Sequence, residues 1–108
     1  MPLNDRVLPI LEASFRDGAE VRPGRPRHFL VTRRHPTDGR QNRMAREIVI
    51  QVERDLEREI IGATDAQMQQ VIGPRIQQAV TAKLVDYHPE DDGPEPFLVI
   101  LGMESIGL

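Results

Sequence analysis

The sequence predicts a small two-layer α+β domain in which about three strands pack against two helices, in the order α-β-β-α-β. Three observations predict this class. The length of 108 residues fits one domain, and 39% of the residues are apolar, which is enough for one hydrophobic core. Stretches with helical periodicity also alternate along the chain with short runs of β-branched and aromatic residues. We therefore expect residues 1–108 to form a single domain.

The first predicted helix spans about residues 6–17. Its apolar positions recur at helical spacing: Leu8, Leu11 and Phe15. Asn4 or Asp5 can cap its beginning, and Gly18 follows its end. Because proline suits only the first turn of a helix, Pro9 places the start of the helix close to residue 6.

A basic segment and a strand follow the first helix. Residues 19–27 contain two prolines and a glycine, which predicts a flexible, extended path without regular structure. Residues 28–34 are rich in β-forming side chains and end just before His35-Pro36, so we expect a strand there.

Residues 46–61 fit two periodicities. Six apolar residues form a helical stripe: Ala45, Ile48, Val49, Val52, Leu56 and Ile60. Alternating β-branched residues at 48, 50 and 52 instead fit a strand. One long helix would place three like-charged pairs at i,i+4, each costing a few tenths of a kcal/mol: Glu53–Glu57, Arg54–Arg58 and Asp55–Glu59. We therefore favour a strand at about 46–53 followed by a short helical turn to Ile61.

The clearest predicted helix begins after Thr64. Thr64 and Gln67 have the spacing of a capping box, in which each side chain bonds a free backbone N–H of the first turn. Six apolar residues then follow one helical face: Met68, Ile72, Ile76, Val80, Leu84 and Tyr87. Gly73-Pro74 interrupts this helix and predicts a kink or two helices on one axis.

The last two predicted elements are an acidic, proline-rich loop at 88–96 and a strand at 97–101. The strand has the apolar sequence Phe-Leu-Val-Ile-Leu. Such a run is typical of a strand that is buried on both faces, or of an edge strand that pairs with another chain.

Positive charge is concentrated in one part of the chain. Eight of the 13 arginines lie between residues 21 and 46, where Asp38 is the single acidic residue, whereas residues 90–95 carry four acidic side chains. The arginine-rich residues 21–46 can bind the phosphates of a nucleic acid or an acidic partner. They can also pair with the acidic loop of the protein itself. The candidate contact residues are Arg22, Arg25, Arg27, Arg33, Arg34, Arg40 and Arg43.

Two short stretches resemble nucleic-acid-binding motifs. Pro23-Gly24-Arg25-Pro26-Arg27 resembles an AT-hook, whose Gly-Arg-Pro core lies in the DNA minor groove, although Pro23 stands where that motif has a basic residue. Residues 59–65 resemble the Ile-Ile-Gly entry to the Gly-x-x-Gly loop of KH domains, which clamps phosphates. Because Asp65 replaces the second glycine and repels phosphate, we favour Gly62 as a helix stop and Thr64 as a cap.

The residues that carry chemistry are few. The absence of cysteine excludes disulfides, thiolate metal sites and thiol catalysis. A metal site built from His35, Asp38 and His88 is conceivable, but no spacing requires it. Neither of the two serines, Ser14 and Ser105, lies in a nucleophile motif. We expect no cofactor, no metal and no enzymatic activity.

The sequence therefore favours a small non-catalytic protein-interaction or assembly module, with an unknown protein partner or self-association through 97–101. The alternative is a nucleic-acid-binding protein that uses the arginine-rich segment 22–46. No stretch has the character of a signal peptide, and none reaches the ~18 consecutive apolar residues of a membrane span, so we expect a cytoplasmic protein without a membrane partner.

Overall fold

The structure is a computed structural model that describes residues 3–15, 19–32, 47–87 and 95–108. Its helices and strands follow one another in the order α1 (Leu3–Ser14), β1 (Glu20–Pro23), β2 (His28–Thr32), β3 (Ile48–Val52), α2 (Arg54–Gly62), α3 (Asp65–Gln67), a π-helical stretch (Met68–Ile72), α4 (Gly73–Lys83), a 3-10 turn (Leu84–Asp86) and β4 (Phe97–Leu101). The elements from α3 to the 3-10 turn form one continuous helical segment.

The predicted α+β class is confirmed, and the sheet is mixed. Its strand order is β1-β2-β3-β4, in which β1 pairs antiparallel with β2, β2 antiparallel with β3, and β3 parallel with β4. Since parallel strands need a crossover connection, the helices between β3 and β4 supply it. The strand that pairs in parallel is therefore the last one in the chain.

The prediction of three strands was wrong by one. The additional strand is β1, which lies in the segment 19–27 where no regular structure was expected. Val21 pairs with Val31 of β2, and the Gly24 N–H donates to the His28 carbonyl at 2.9 Å, which closes a hairpin. The prolines do not prevent it, because Pro23 ends the edge strand and Pro26 lies in the turn, where proline is tolerated.

The predicted strand-then-helix reading of 46–61 is confirmed by β3 and α2. The alternating β-branched side chains of β3 are buried on one face: Ile48, Ile50 and Val52. Leu56 and Ile60 then bury the inner face of α2. Gly62 is the last residue of α2, as the helix-stop reading of 59–65 predicted.

The capping box and the helical stripe are also confirmed. The Thr64 hydroxyl accepts from the Gln67 N–H at 3.1 Å, and the Gln67 side-chain Oε1 atom accepts from the Thr64 N–H at 2.8 Å. Five residues of the helical stripe are buried: Met68, Ile72, Ile76, Val80 and Tyr87. The sixth, Leu84, is partly buried. The interruption expected at Gly73-Pro74 takes the form of the π-helical stretch.

Helix α1 begins earlier than predicted, at Leu3, so Pro9 lies inside the helix and not in its first turn. Pro9 cannot donate to the carbonyl of Asp5, and the helix loses one internal hydrogen bond there. Burial of Leu3, Val7 and Leu11 against the core offsets this loss. The helix also ends earlier than the predicted residue 17, at Ser14.

The core lies between one face of the sheet and the helices. α1 packs against β1 and α4, and α4 packs against β4. The largest fully buried side chains come from both layers: Phe29, Leu11, Ile48, Ile50, Leu56, Ile60, Ile76 and Leu101. Across the part of the chain that the structure describes, no helix has the length and apolar character to cross a membrane.

Candidate interaction surfaces

The second face of the sheet points away from the helices that the structure describes, and we refer to it as the open face. It carries two rows of side chains that run across β2, β3 and β4: Leu30, Val49 and Leu98, then His28, Gln51 and Ile100. Leu98 is 52% exposed and Ile100 is 42% exposed, whereas Leu30 and Val49 are half-buried. The open face is therefore most apolar and most exposed at β4.

At the β1 edge of the sheet, the open face is charged. Arg22 lies beside Leu30, and Glu20 lies beside Thr32 in the register of the sheet. The Arg22 Nε and Glu20 Oε1 atoms are 3.5 Å apart and form an exposed ion pair. Exposed pairs of this kind contribute little stability, but they keep this side of the face hydrated. The face thus changes from charged at β1 to apolar at β4.

The backbone N–H and C=O groups of β4 point alternately toward β3 and toward the free edge of the sheet. The Phe97 N–H donates to the Glu47 carbonyl and the Leu101 carbonyl accepts from the Glu53 N–H, both at 2.8 Å, so Phe97, Val99 and Leu101 face β3. By the same alternation, the N–H and C=O groups of the two residues between them, 98 and 100, point away from the sheet. Within the described residues, no strand pairs with this outer edge.

The segment after β4 limits the outer edge at one end. The Ser105 hydroxyl accepts from the Gly102 N–H at 3.2 Å and donates to the Ile100 carbonyl at 3.3 Å. Arg75 of α4 fixes the following residues by donating to the carbonyls of Ile106 and Gly107. In the turn after β4, Ser105 thus forms hydrogen bonds with the Ile100 carbonyl at the edge and with the Gly102 N–H.

The hairpin between β1 and β2 places three of the predicted contact residues on one structural unit: Arg22, Arg25 and Arg27. Its turn is closed, since the His28 N–H donates to the Arg25 carbonyl at 2.8 Å. The AT-hook-like stretch thus contains a tight turn. The other four predicted contact residues lie outside the described residues: Arg33, Arg34, Arg40 and Arg43.

Arg27 is the most constrained of these arginines. Its φ is 63°, in the left-handed region, and its carbonyl accepts from the Val52 N–H at 2.8 Å. This hydrogen bond holds the hairpin turn against the end of β3. The Arg27 Nε atom is buried and has no hydrogen-bond partner among the described residues, while Arg22 and Arg25 are exposed.

A groove of about 480 Å³ lies between α1 and the helical segment that begins at Asp65. Beside it, Arg6 is a residue that the sequence analysis missed. Its guanidinium donates to the carbonyls of Ile60 at 3.1 Å and Ala63 at 2.7 Å, and its side chain is only 13% exposed. Arg6 therefore satisfies the carbonyls at the end of α2 and ties α1 to it. The signal was indirect: a helix that stops at Gly62 leaves carbonyls that need donors.

The polar side chains that could carry catalysis form hydrogen bonds with backbone groups. Ser14 donates to the Ile10 carbonyl of its own helix at 2.9 Å, and Ser105 makes the two bonds described above. The His28 Nδ1–H donates to the Pro26 carbonyl at 2.9 Å. No three histidine or acidic side chains meet in a metal-binding arrangement in the described ranges. The hypothetical site of His35, Asp38 and His88 lies outside those ranges.

No family model, curated protein or solved structure matches this chain. Two surfaces have a chemical character that a partner can recognise, namely the open face with the β4 edge and the arginine-bearing hairpin.

Proposed function

We propose that this protein is a small non-catalytic protein-interaction or assembly module that makes contact through the β4 side of its open face. The observation that carries the proposal is the exposure of two large aliphatic side chains, Leu98 at 52% and Ile100 at 42%, at one sheet edge. Full burial of such a side chain contributes about 1.5–3 kcal/mol, so covering the exposed parts of both contributes roughly 1.5–3 kcal/mol in total.

The surroundings of the two side chains support a docking surface over a reaction site. Their neighbours in the sheet are Val49 and Gln51, which offer no acid, base or nucleophile. Small ligands are mostly held in concave pockets, and the two concave pockets described along the helices include no residue of the open face. An apolar patch with a charged border at β1 resembles the composition of protein interfaces, which have an apolar centre and a polar rim.

Site-specific photo-crosslinking tests this proposal. A photoreactive p-benzoylphenylalanine replaces Leu98 in one version of the full chain and Arg58, on the exposed side of α2, in a matched control. We expect discrete covalent adducts from position 98, their loss when Ile100→Lys is added, and none of these bands from position 58. Absence of adducts at 98, or the same bands from both positions, would contradict the proposal.

A second candidate function is nucleic-acid binding through the arginine-rich segment. The observation that favours it is the grouping of Arg22, Arg25 and Arg27 on one hairpin, where Glu20 is the single acidic residue. Arginines on a two-stranded hairpin can contact phosphates on either side of a groove. This surface lies at the β1 side of the sheet, so the two candidate functions use opposite edges.

A salt-dependent titration separates this candidate from the first. Labelled DNA and RNA are titrated at about 50 and 200 mM salt with the wild type and with a variant in which Arg25, Arg27, Arg33 and Arg34 are alanine. Four phosphate contacts predict on the order of 100-fold weaker DNA binding at the higher salt. A control variant removes Arg54 and Arg58 of α2. Binding that survives in the four-arginine variant, or is lost equally in the control, would reject the hairpin as the contact.

A further inference from the structure

We infer that β4 pairs antiparallel with β4 of a second copy of this chain, which joins two four-stranded sheets into one. This inference rests on the proposed function, since it names the partner of the same surface. Its basis is the outer edge of β4, where the N–H and C=O groups of Leu98 and Ile100 point away from β3.

The two edges of the sheet differ in the features that prevent pairing. Edge strands are commonly protected by short length, charged side chains and proline. β1 has all three, with four residues that include Glu20, Arg22 and Pro23. β4 has five apolar residues, no charge and no proline. The unprotected edge is therefore the one that is suited to receive another strand.

The hydrogen-bond groups of the edge select one register. With the two-fold axis at Val99, Leu98 lies opposite Ile100 of the second copy, and these residues exchange four N–H to C=O hydrogen bonds. A shift of the axis to residue 98 would place Pro96, which has no N–H, in the ladder. A shift to residue 100 would require the Gly102 N–H, which already donates to the Ser105 hydroxyl. The Ile100 carbonyl keeps a free lone pair, since Ser105 uses only one.

The same register matches the side chains. On the open face, Leu98 comes beside Ile100 of the second copy, so the two exposed patches merge into one cluster of four aliphatic side chains. On the other face Val99 is fully buried within its own copy, so the contact between side chains is made on the open face. The nearest charged residues in sequence, Glu95 and Glu104, lie outside the strand, so no like charges oppose each other within it.

The expected dimer is weak because the paired strands are short. A stable interface covers about 800 Å² per copy, which is a sizeable part of the total surface of 6914 Å². Five residues of strand edge cover less than that. We therefore expect a dissociation constant on the order of 10–100 μM.

Sedimentation of the full chain from about 5 to 500 μM tests the inference, with two variants. Leu98→Pro removes the outward N–H and keeps an apolar side chain, and β3 does not use that N–H. Because the dimer is symmetric, each copy loses its Leu98 N–H donor. We therefore expect the dissociation constant to rise at least about tenfold. Gln51→Lys places a charge on the open face one strand away from the edge and should leave the dimer intact.

Amide hydrogen exchange provides a second readout that needs no variant. The N–H groups of Leu98 and Ile100 should exchange more slowly as the protein concentration rises, while that of Val49, inside the sheet, should not change. A strict monomer at 500 μM would overturn the inference. So would a dimer that Gln51→Lys breaks and Leu98→Pro preserves, because that pattern indicates packing of face on face. Heterologous adducts from position 98 together with a monomer would overturn self-pairing and leave the proposed function standing.

Discussion

Gly73 donates its backbone N–H to the carbonyl of Met68, five residues earlier, and a Cβ atom at Gly73 would lie 2.6 Å from that oxygen. This pair is the physical basis of the π-helical stretch. Pro74 has no N–H and its ring displaces the carbonyl of residue 70, so the helix widens just before it. The widened turn brings the Met68 carbonyl so close to Gly73 that a side chain there has no space.

We predict that Gly73→Ala destabilises the protein by about 1–3 kcal/mol, because the atom that the new Cβ meets is backbone in a buried position and cannot move freely. Gly62→Ala is the matched control. Nothing lies within 4 Å of a Cβ at Gly62, so that change should be neutral or stabilising by up to about 1 kcal/mol. Urea denaturation measures both. Equal stability of the two variants would show that the π-helical stretch relaxes without cost.

Arg6 gives a second prediction. Its guanidinium donates to two carbonyls at the end of α2, those of Ile60 and Ala63. Arg6→Met should remove this donor from both, and the Ile60 carbonyl then keeps only its long 3.3 Å bond from the Ala63 N–H. Hydrogen bonds to a charged group contribute about 1.5–3 kcal/mol, and we expect a loss in that range by thermal or urea unfolding. Asp65→Asn is the control, because this highly exposed partner, 3.5 Å from Arg6, should contribute little. A larger loss in Asp65→Asn would contradict the assignment.

The capping box gives a third prediction. Thr64→Ala removes the acceptor for the Gln67 N–H and should cost about 1 kcal/mol. Thr64→Ser keeps the hydroxyl and should remain close to the wild type. Far-ultraviolet circular dichroism during urea unfolding measures the difference. If both variants lose stability equally, the hydroxyl is not what stabilises the start of the helix.

Local signals in the sequence were sufficient for the elements that depend on near neighbours. Alternating β-branched residues at 48, 50 and 52 located β3, and the Thr64 and Gln67 spacing located a helix start. The like-charged pairs were not a valid signal, because Arg54 with Arg58 and Asp55 with Glu59 lie together inside α2. Elements that depend on distant partners were not accessible. β1 exists because Val21 pairs with Val31, and α1 extends to Leu3 because burial in the core offsets the internal Pro9.

The candidate surfaces were predictable only in part. The arginines of the hairpin are visible in the sequence, but their placement on a closed turn depends on pairing between β1 and β2. The run at 97–101 has no alternation between polar and apolar residues, so the sequence does not indicate which side chains face water. Only the position of β4 at the end of the sheet shows that Leu98 and Ile100 are the exposed ones.

Arg27 gives the last prediction. Its φ of 63° is costly for a residue with a side chain, and its buried Nε atom has no hydrogen-bond partner in the described ranges. Glycine adopts this conformation freely but adds entropy to the unfolded chain, so Arg27→Gly should stabilise the protein by about 0.5–1 kcal/mol in urea. Arg25→Gly, at a position without positive φ, should instead destabilise by about 0.4–1 kcal/mol.

The same two variants also separate stability from binding at the hairpin. If this hairpin contacts nucleic acid, Arg27→Gly should weaken binding at 50 mM salt although the protein is more stable, because a phosphate contact is lost. A gain in stability without a change in binding would remove Arg27 from the contact surface. A loss of stability in Arg27→Gly would show that packing of the arginine stem against the end of β3 outweighs the cost of its left-handed backbone.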